Sequence, residues 1–322
     1  MAEYINIKGT NRQVLSSDPS NPTLGQIWYN TTSNTLKGRV LQSSAWATAN
    51  SMTTARRSYG YAGTQTAALA AGGGYPAIST TEEYGGTSWT TVNSMPTSVY
   101  DLAGAGLQTA AVIWGGDSNV TYEYDGTNWT TSGTLGIAVR NSAGFGIQTA
   151  AVSTGGQSLG NPYTSATEEY NGSSWTGGNN LAQQRSRLMG FGTLTAGVAT
   201  GGTTDEGLMP NTEEYDGTSW TAGGNLNTAR KEAGSSIGTQ TAAIVFGGII
   251  PSSSPNDQAL TEKYDGTSFA NDATMGTARA YLRGMGSATA GLAAGGGGDP
   301  GNSAVTEEYT GAAEATVTID PV

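Results

Sequence analysis

Neither cysteine nor histidine occurs among the 322 residues. Lack of cysteine removes disulfides, thiol chemistry and the soft metal ligands together. Lack of histidine removes Ser-His and Cys-His nucleophiles, so any reaction would fall to carboxylates, hydroxyls or arginine. Charged residues make up only 12% of the chain and phenylalanine only four positions. No apolar run approaches the ~18 residues of a bilayer-spanning helix. The opening "MAEYINIKGTNRQ" has no apolar core of a secretory signal, so none is expected. A formal charge of −11 and a pI near 4.4 argue against nucleic acid or an anionic membrane as partner. What is abundant is glycine, 49 residues, with threonine, serine and regularly recurring tyrosine and tryptophan. That balance favours short strands and tight turns, and predicts an all-β chain.

One phrase is written six times. "TEEYDGTSWT" at 212–221 has relatives at 81–90, 121–130, 167–176 and 261–270, and a degraded copy at 306–315. The aromatic residue that ends it falls at Trp46, Trp89, Trp129, Trp175, Trp220 and Phe269, 40 to 49 residues apart. Such a period matches a four-stranded propeller blade. Within one period the text predicts strand A at 58–63, strand B at 67–73, strand C at 80–84 and strand D from 88. Asp-Gly between C and D supplies the positive φ of a tight reversal. Tyrosine and tryptophan then flank that turn, where they fill the space between neighbouring blades.

Arginine, a hydrophobic strand, a diglycine, Glu-x-Tyr-Asp and tryptophan, in that order over residues 46–310, resemble the kelch repeat of β-propellers. The recurring arginines are Arg56, Arg140, Arg185, Arg230 and Arg279, and the second copy carries Tyr100 and Asp101 instead. The resemblance implies a kelch-like propeller of four-stranded antiparallel blades. Residues 24–49 read as strands B, C and D of a further, divergent blade, with strand A from 4–8 or from 315–319. Seven blades of 46 residues are therefore favoured over six plus a separate docking element, and the chain divides into an N-terminal β element, 1–45, and blades over 46–322. "SSDPSNPTLGQIWYNTTSNTLKG" at 16–38 resembles the openings of structural proteins of tailed bacteriophages, marine and cyanobacterial ones in particular. That likeness implies a virion protein, assembled in the host cytoplasm and exposed outside the cell, with other virion proteins and a host-surface glycan or protein as partners.

Chemistry is hard to place. Copper catalysis of the galactose oxidase kind needs histidine and a Tyr–Cys cross-link, which this chain cannot make. The paired glutamates Glu82-Glu83, Glu168-Glu169, Glu213-Glu214 and Glu307-Glu308 recur in each copy, so they read as strand residues meeting the recurrent arginines. No loop shows an alternating calcium-ligand pattern. The chain is expected to be non-enzymatic, without cofactor or metal. Turns A–B and C–D hardly vary between copies, whereas the B–C connections vary in length and content. Variation on one face of a repeated scaffold predicts a binding surface. Its candidate contacts are Tyr75, Tyr100, Tyr163 and Tyr281, with Leu208, Met209, Ile249 and Ile250. The expected function is adhesion or structural support in a tail, fibre or capsid, with a carbohydrate-binding or carbohydrate-cleaving propeller as the alternative.

Overall fold

The structure, a computed structural model, describes residues 13–251, 256–298 and 301–319. The strand predicted at 4–8 lies outside them. No helix occurs among the described residues, and the chain is all-β, built mainly of four-stranded antiparallel sheets in a propeller-like arrangement. Two compact units form, residues 13–44 with 311–319 and residues 45–310.

The larger unit holds six four-stranded antiparallel sheets. In the first, strands A to D are Gly60–Gly63, Ala68–Ala71, Thr81–Tyr84 and Trp89–Val92, paired in that order. Strand A of the other five is Leu102–Leu107, Ala143–Ile147, Met189–Thr193, Gly234–Thr239 and Arg283–Gly286. Each strand A packs against the next, and the sixth packs against the first. Space there is short. A Cβ on Gly104 would lie 2.4 Å from the Tyr61 carbonyl oxygen, which is why these strands are written in glycine and alanine. Strand D of the sixth sheet is Ala45–Ala49, which pairs with Thr306–Thr310. Trp46 therefore does not continue the sheet of residues 26–42, as the sequence had led us to expect.

The repeated phrase reads as a set of contacts between neighbouring sheets. Its threonine accepts from the tryptophan Nε1 of the following sheet: Trp129 to Thr81 at 3.1 Å, Trp175 to Thr121 at 2.8 Å, Trp220 to Thr167 at 3.1 Å, Trp46 to Thr261 at 3.0 Å and Trp89 to Thr306 at 3.0 Å. Its second glutamate accepts from the tyrosine hydroxyl of the following sheet, as in Tyr124 to Glu83 at 2.8 Å and Tyr170 to Glu123 at 2.6 Å. Burial and that bond push the Tyr170 hydroxyl up to about 12. The aspartate turns out to cap rather than bend. Asp216 Oδ1 accepts from the Thr218 and Ser219 amides at 2.7 Å, and positive φ falls on Gly217 alone.

The first glutamate is held inside its own sheet. Glu82, fully buried, accepts from the Thr53 and Thr54 amides at 2.7 and 3.0 Å and from Arg56 Nη2 at 2.6 Å. Arg185–Glu213, Arg230–Glu262 and Arg279–Glu307 repeat the pair. Arg140 does not. It stands one residue closer to strand A, half-exposed, and pairs with Asp117 at 2.9 Å, while Val139 takes the buried place. Glu168 then relies on the Gly136 and Ile137 amides. In the second sheet the whole device is exchanged. Val99 and Tyr122 replace arginine and glutamate, and Pro96, which has no amide hydrogen, stands where Thr53 donates in the first.

The smaller unit is one sheet, with strands Gln13–Leu15, Ile27–Asn30, Thr35–Gln42 and Ala313–Thr318 in that order, the first pair parallel. The predicted hairpin is present, but the strand anticipated at 315–319 does not take the strand A place beside Ile27–Asn30: Gln13–Leu15 stands there, and Ala313–Thr318 pairs with Thr35–Gln42 on the opposite edge. Asp18 ties the unit together, accepting from Trp28 Nε1, Asn30 Nδ2 and Lys37 Nζ at 3.0, 2.7 and 2.7 Å. Those bonds, Lys37 first, hold its carboxyl down at about 2.

Candidate functional site

One residue ahead of strand A in the second sheet, and two ahead in the others, every four-stranded sheet of the larger unit carries a residue in the left-handed conformation that is not glycine. These are Ser58, Asp101, Asn141, Arg187, Glu232 and Tyr281, with φ between 52° and 59°. The six are joined head to tail through the main chain. Amides of Ser58, Asn141, Arg187, Glu232 and Tyr281 donate to the carbonyls of Tyr281, Asp101, Asn141, Arg187 and Glu232 at 2.9 to 3.3 Å. Leu102 supplies the sixth link, to Ser58 O at 3.2 Å. Left-handed backbone costs ~1–3 kcal/mol for a non-glycine residue and persists where surroundings dictate it, often at functional sites. Here the hydrogen-bonded ring dictates it.

The six side chains border a cavity of about 170 Å³ at the end of the axis where the B–C loops lie. They are all different, although the backbone position is the same. Arg187 Nε contacts Glu232 Oε1 at 3.2 Å, and Asn141 Nδ2 donates to Asp101 Oδ2 at 3.3 Å and Gln157 Oε1 at 3.2 Å. Burial raises the carboxyls of both Glu232 and Asp101 above the ordinary range. Arg187 opposes the shift at Glu232 while Asp101 adds to it, and Arg283 opposes it at Asp101. Asn141 is 7% exposed, and its Oδ1 has no partner. A buried acceptor left so is costly unless a donor arrives.

Aromatic groups and arginine form the rim. Tyr75, 66% exposed, meets Tyr100 edge-to-face at 5.8 Å. The Arg57 guanidinium lies over the rings of Tyr75 and Tyr281, at 5.6 and 5.1 Å. Tyr61 and Arg283 floor the site. Tyr61 stands where the second, third, fourth and sixth sheets have glycine, and its hydroxyl donates across the axis to Gly144 O at 3.0 Å. Arg283 donates to the carbonyls of Tyr59, Leu102 and Leu282. On the other side of Tyr61, towards the A–B turns, is a second cavity of about 160 Å³, walled by the strand A glycines.

Of the residues expected from sequence, Tyr75, Tyr100 and Tyr281 come together here. Tyr163, Leu208, Ile249 and Ile250 are half-buried and do not line the cavity. Met209 is buried, 7% exposed, and offers no surface contact. Ser58, Arg57, Asp101, Asn141, Arg187 and Glu232 were missed as site residues. A signal for them existed: five residues before the strand A glycine stand Ser58, Asp101, Asn141, Arg187 and Tyr281. Glu232 stands six before, because its strand A contains a register shift between Gly234 and Ile237.

No protein-family model matches the chain. No curated protein matches its sequence either. Among solved structures 266 chains match. The structure of YjhT aligns over 84% of this chain and 99% of its own, with a TM-score of 0.66 and 10% identity. At that identity the likeness is one of fold alone.

Proposed function

We propose that this chain is a non-enzymatic virion protein of a tailed bacteriophage, a six-bladed kelch-type propeller that binds a host-surface or virion partner through its B–C/D–A face. Six blades, rather than the seven favoured by the sequence, are supported by the cycle of strand A contacts and by the mixed sheet of the smaller unit, which has a parallel pair. One observation carries the binding role. Six identical backbone positions around one end of the axis bear six different polar or aromatic side chains, while the contacts between sheets are repeated almost unchanged. Uniform scaffold with a non-uniform mouth is the pattern of a recognition surface. The phage context rests on the resemblance of residues 16–38.

The test is fractionation of a phage lysate. The chain should co-purify with intact particles, and an antibody fragment raised against the 74–80 and 117–120 loops should block adsorption. Recovery only in the soluble fraction overturns the virion role.

A second reading, hydrolysis of a glycan, is favoured by the two raised carboxyls sharing one cavity. Release of new reducing ends from host polysaccharide, lost in Asp101→Asn and Glu232→Gln, would establish it.

A further inference from the structure

The axial cavity alone is smaller than the ~300–1,000 Å³ usual for small-molecule pockets. Beside it, on the same face, runs a groove of about 420 Å³ lined by Ala77, Val99, Gly116, Val120 and Tyr122, and Tyr100 lines both. This groove lies where the repeat is broken, since Val99 and Tyr122 are the pair that replaces arginine and glutamate in the second sheet. The break in symmetry and the extension of the cavity therefore coincide.

We infer that the two spaces form one site for the end of an oligosaccharide chain, its terminal sugar in the axial cavity and the next sugars along the Val99–Tyr122 groove. The inference rests on the reading of this face as a recognition surface. Three observations select a sugar. The wall presents acceptors, Asn141 Oδ1 without a partner among the described residues and, beside it, the carboxyl groups of Asp101 and Glu232 that already meet Asn141 and Arg187, so that several donors are welcome in a small volume. Hydroxyls on a single ring supply them. At the rim Arg57 lies over the Tyr75 and Tyr281 rings, with no carboxylate partner among the described residues, and offers donors to ring or substituent oxygens. Tyr75 and Tyr100 offer ring faces and edges for the apolar side of a pyranose. The groove carries less polarity than the cavity, as suits sugars that are held by contact and kept in line rather than read atom by atom.

The geometry makes recognition end-on. Tyr61 and Arg283 close the axis, so a chain cannot thread through. The test uses the full chain on an array of bacterial surface oligosaccharides, followed by titration calorimetry of array ligands shortened to four, three, two and one sugar units. Affinity should fall at least tenfold between trisaccharide and monosaccharide, and Tyr100→Ala should abolish that length dependence. Asn141→Leu, which keeps the volume but removes the acceptor together with the Nδ2 bonds to Asp101 and Gln157, should weaken even the monosaccharide about tenfold. Tyr75→Ala is the control that cannot be dismissed as misfolding, because Tyr75 is exposed, and it should weaken every length. Binding to no array member overturns the inference, as does binding that Tyr75→Ala and Tyr100→Ala leave unchanged. The broader reading fails separately, if labelled protein binds neither host cells nor particles. Cell binding that the oligosaccharides do not compete would overturn the sugar and keep the surface.

Discussion

Arg56 is fully buried, bonded to Glu82 and to the carbonyls of Gly72 and Thr80 at 3.1 and 2.6 Å. Arg56→Leu should cost about 3–5 kcal/mol in urea unfolding, the usual penalty for stranding one charge of a buried pair. The second sheet shows how to remove the device whole. A triple variant, Thr53→Pro with Arg56→Val and Glu82→Tyr, copies Pro96, Val99 and Tyr122, and should lose less stability than Glu82→Tyr alone. The cavity carboxyls give a pH signature. Their folded values are raised, so the folded state holds more protons than the unfolded chain, and stability is lost as pH rises through those values. Asp18 and Asp265 are lowered to about 2 by their hydrogen bonds, so their contribution is lost as pH falls below the ordinary carboxylate range. Stability should therefore peak on the acid side of neutrality. An Asp101→Asn, Glu232→Gln variant should lose the decline towards neutral pH and keep the one at low pH, as melting curves across pH will show.

At the scale of the elements, the seams between sheets are unequal. Gln65, Gln108 and Gln148, in the A–B turns, each donate to two carbonyls of the preceding sheet at 2.9 to 3.1 Å. Leu194 and Ala288 occupy that position in the fourth and sixth sheets and cannot donate. In the fifth sheet Gln240 reaches its carbonyls only at 3.3 and 3.5 Å, and Phe269 replaces the tryptophan. The seams among the sixth, first, second and third sheets are thus fully bonded, and the other three each lack or weaken a contact. Hydrogen exchange should be fastest where the fourth and fifth sheets meet. Phe269→Trp, placing an indole N–H near Thr212, should add ~0.5–1.5 kcal/mol. This level was legible in the sequence, because the contacts repeated from seam to seam are made by residues that recur. The site was not, because its residues share a place and no chemistry; a search for sameness passes over Asp101 and Glu232 alike. Arg140 misled for a related reason, since identity of type hid a shift of one position.

For the whole molecule, closure of the larger unit depends on Ala45–Ala49, which brings the start of that unit to Thr306–Thr310. A chain beginning at residue 50 loses strand D of the sixth sheet and the Trp46–Thr261 bond, and calorimetry should show no cooperative transition. A chain of residues 45–310 keeps both and should fold. The partner of the N-terminal hairpin was only half legible, since residues 313–318 lie far along the chain and their short alternating stretch fits several sheets equally well. Last, the main-chain links around the cavity run donor to acceptor through all six sheets. Such a hoop has no hinge. Widening it at any point breaks a bond that nothing nearby replaces, so the aperture is set before a ligand arrives and does not adapt to one. Entry is then governed by calibre: a group that fits binds without the entropic penalty of ordering loops, and one that is a single substituent too wide is refused rather than bound weakly.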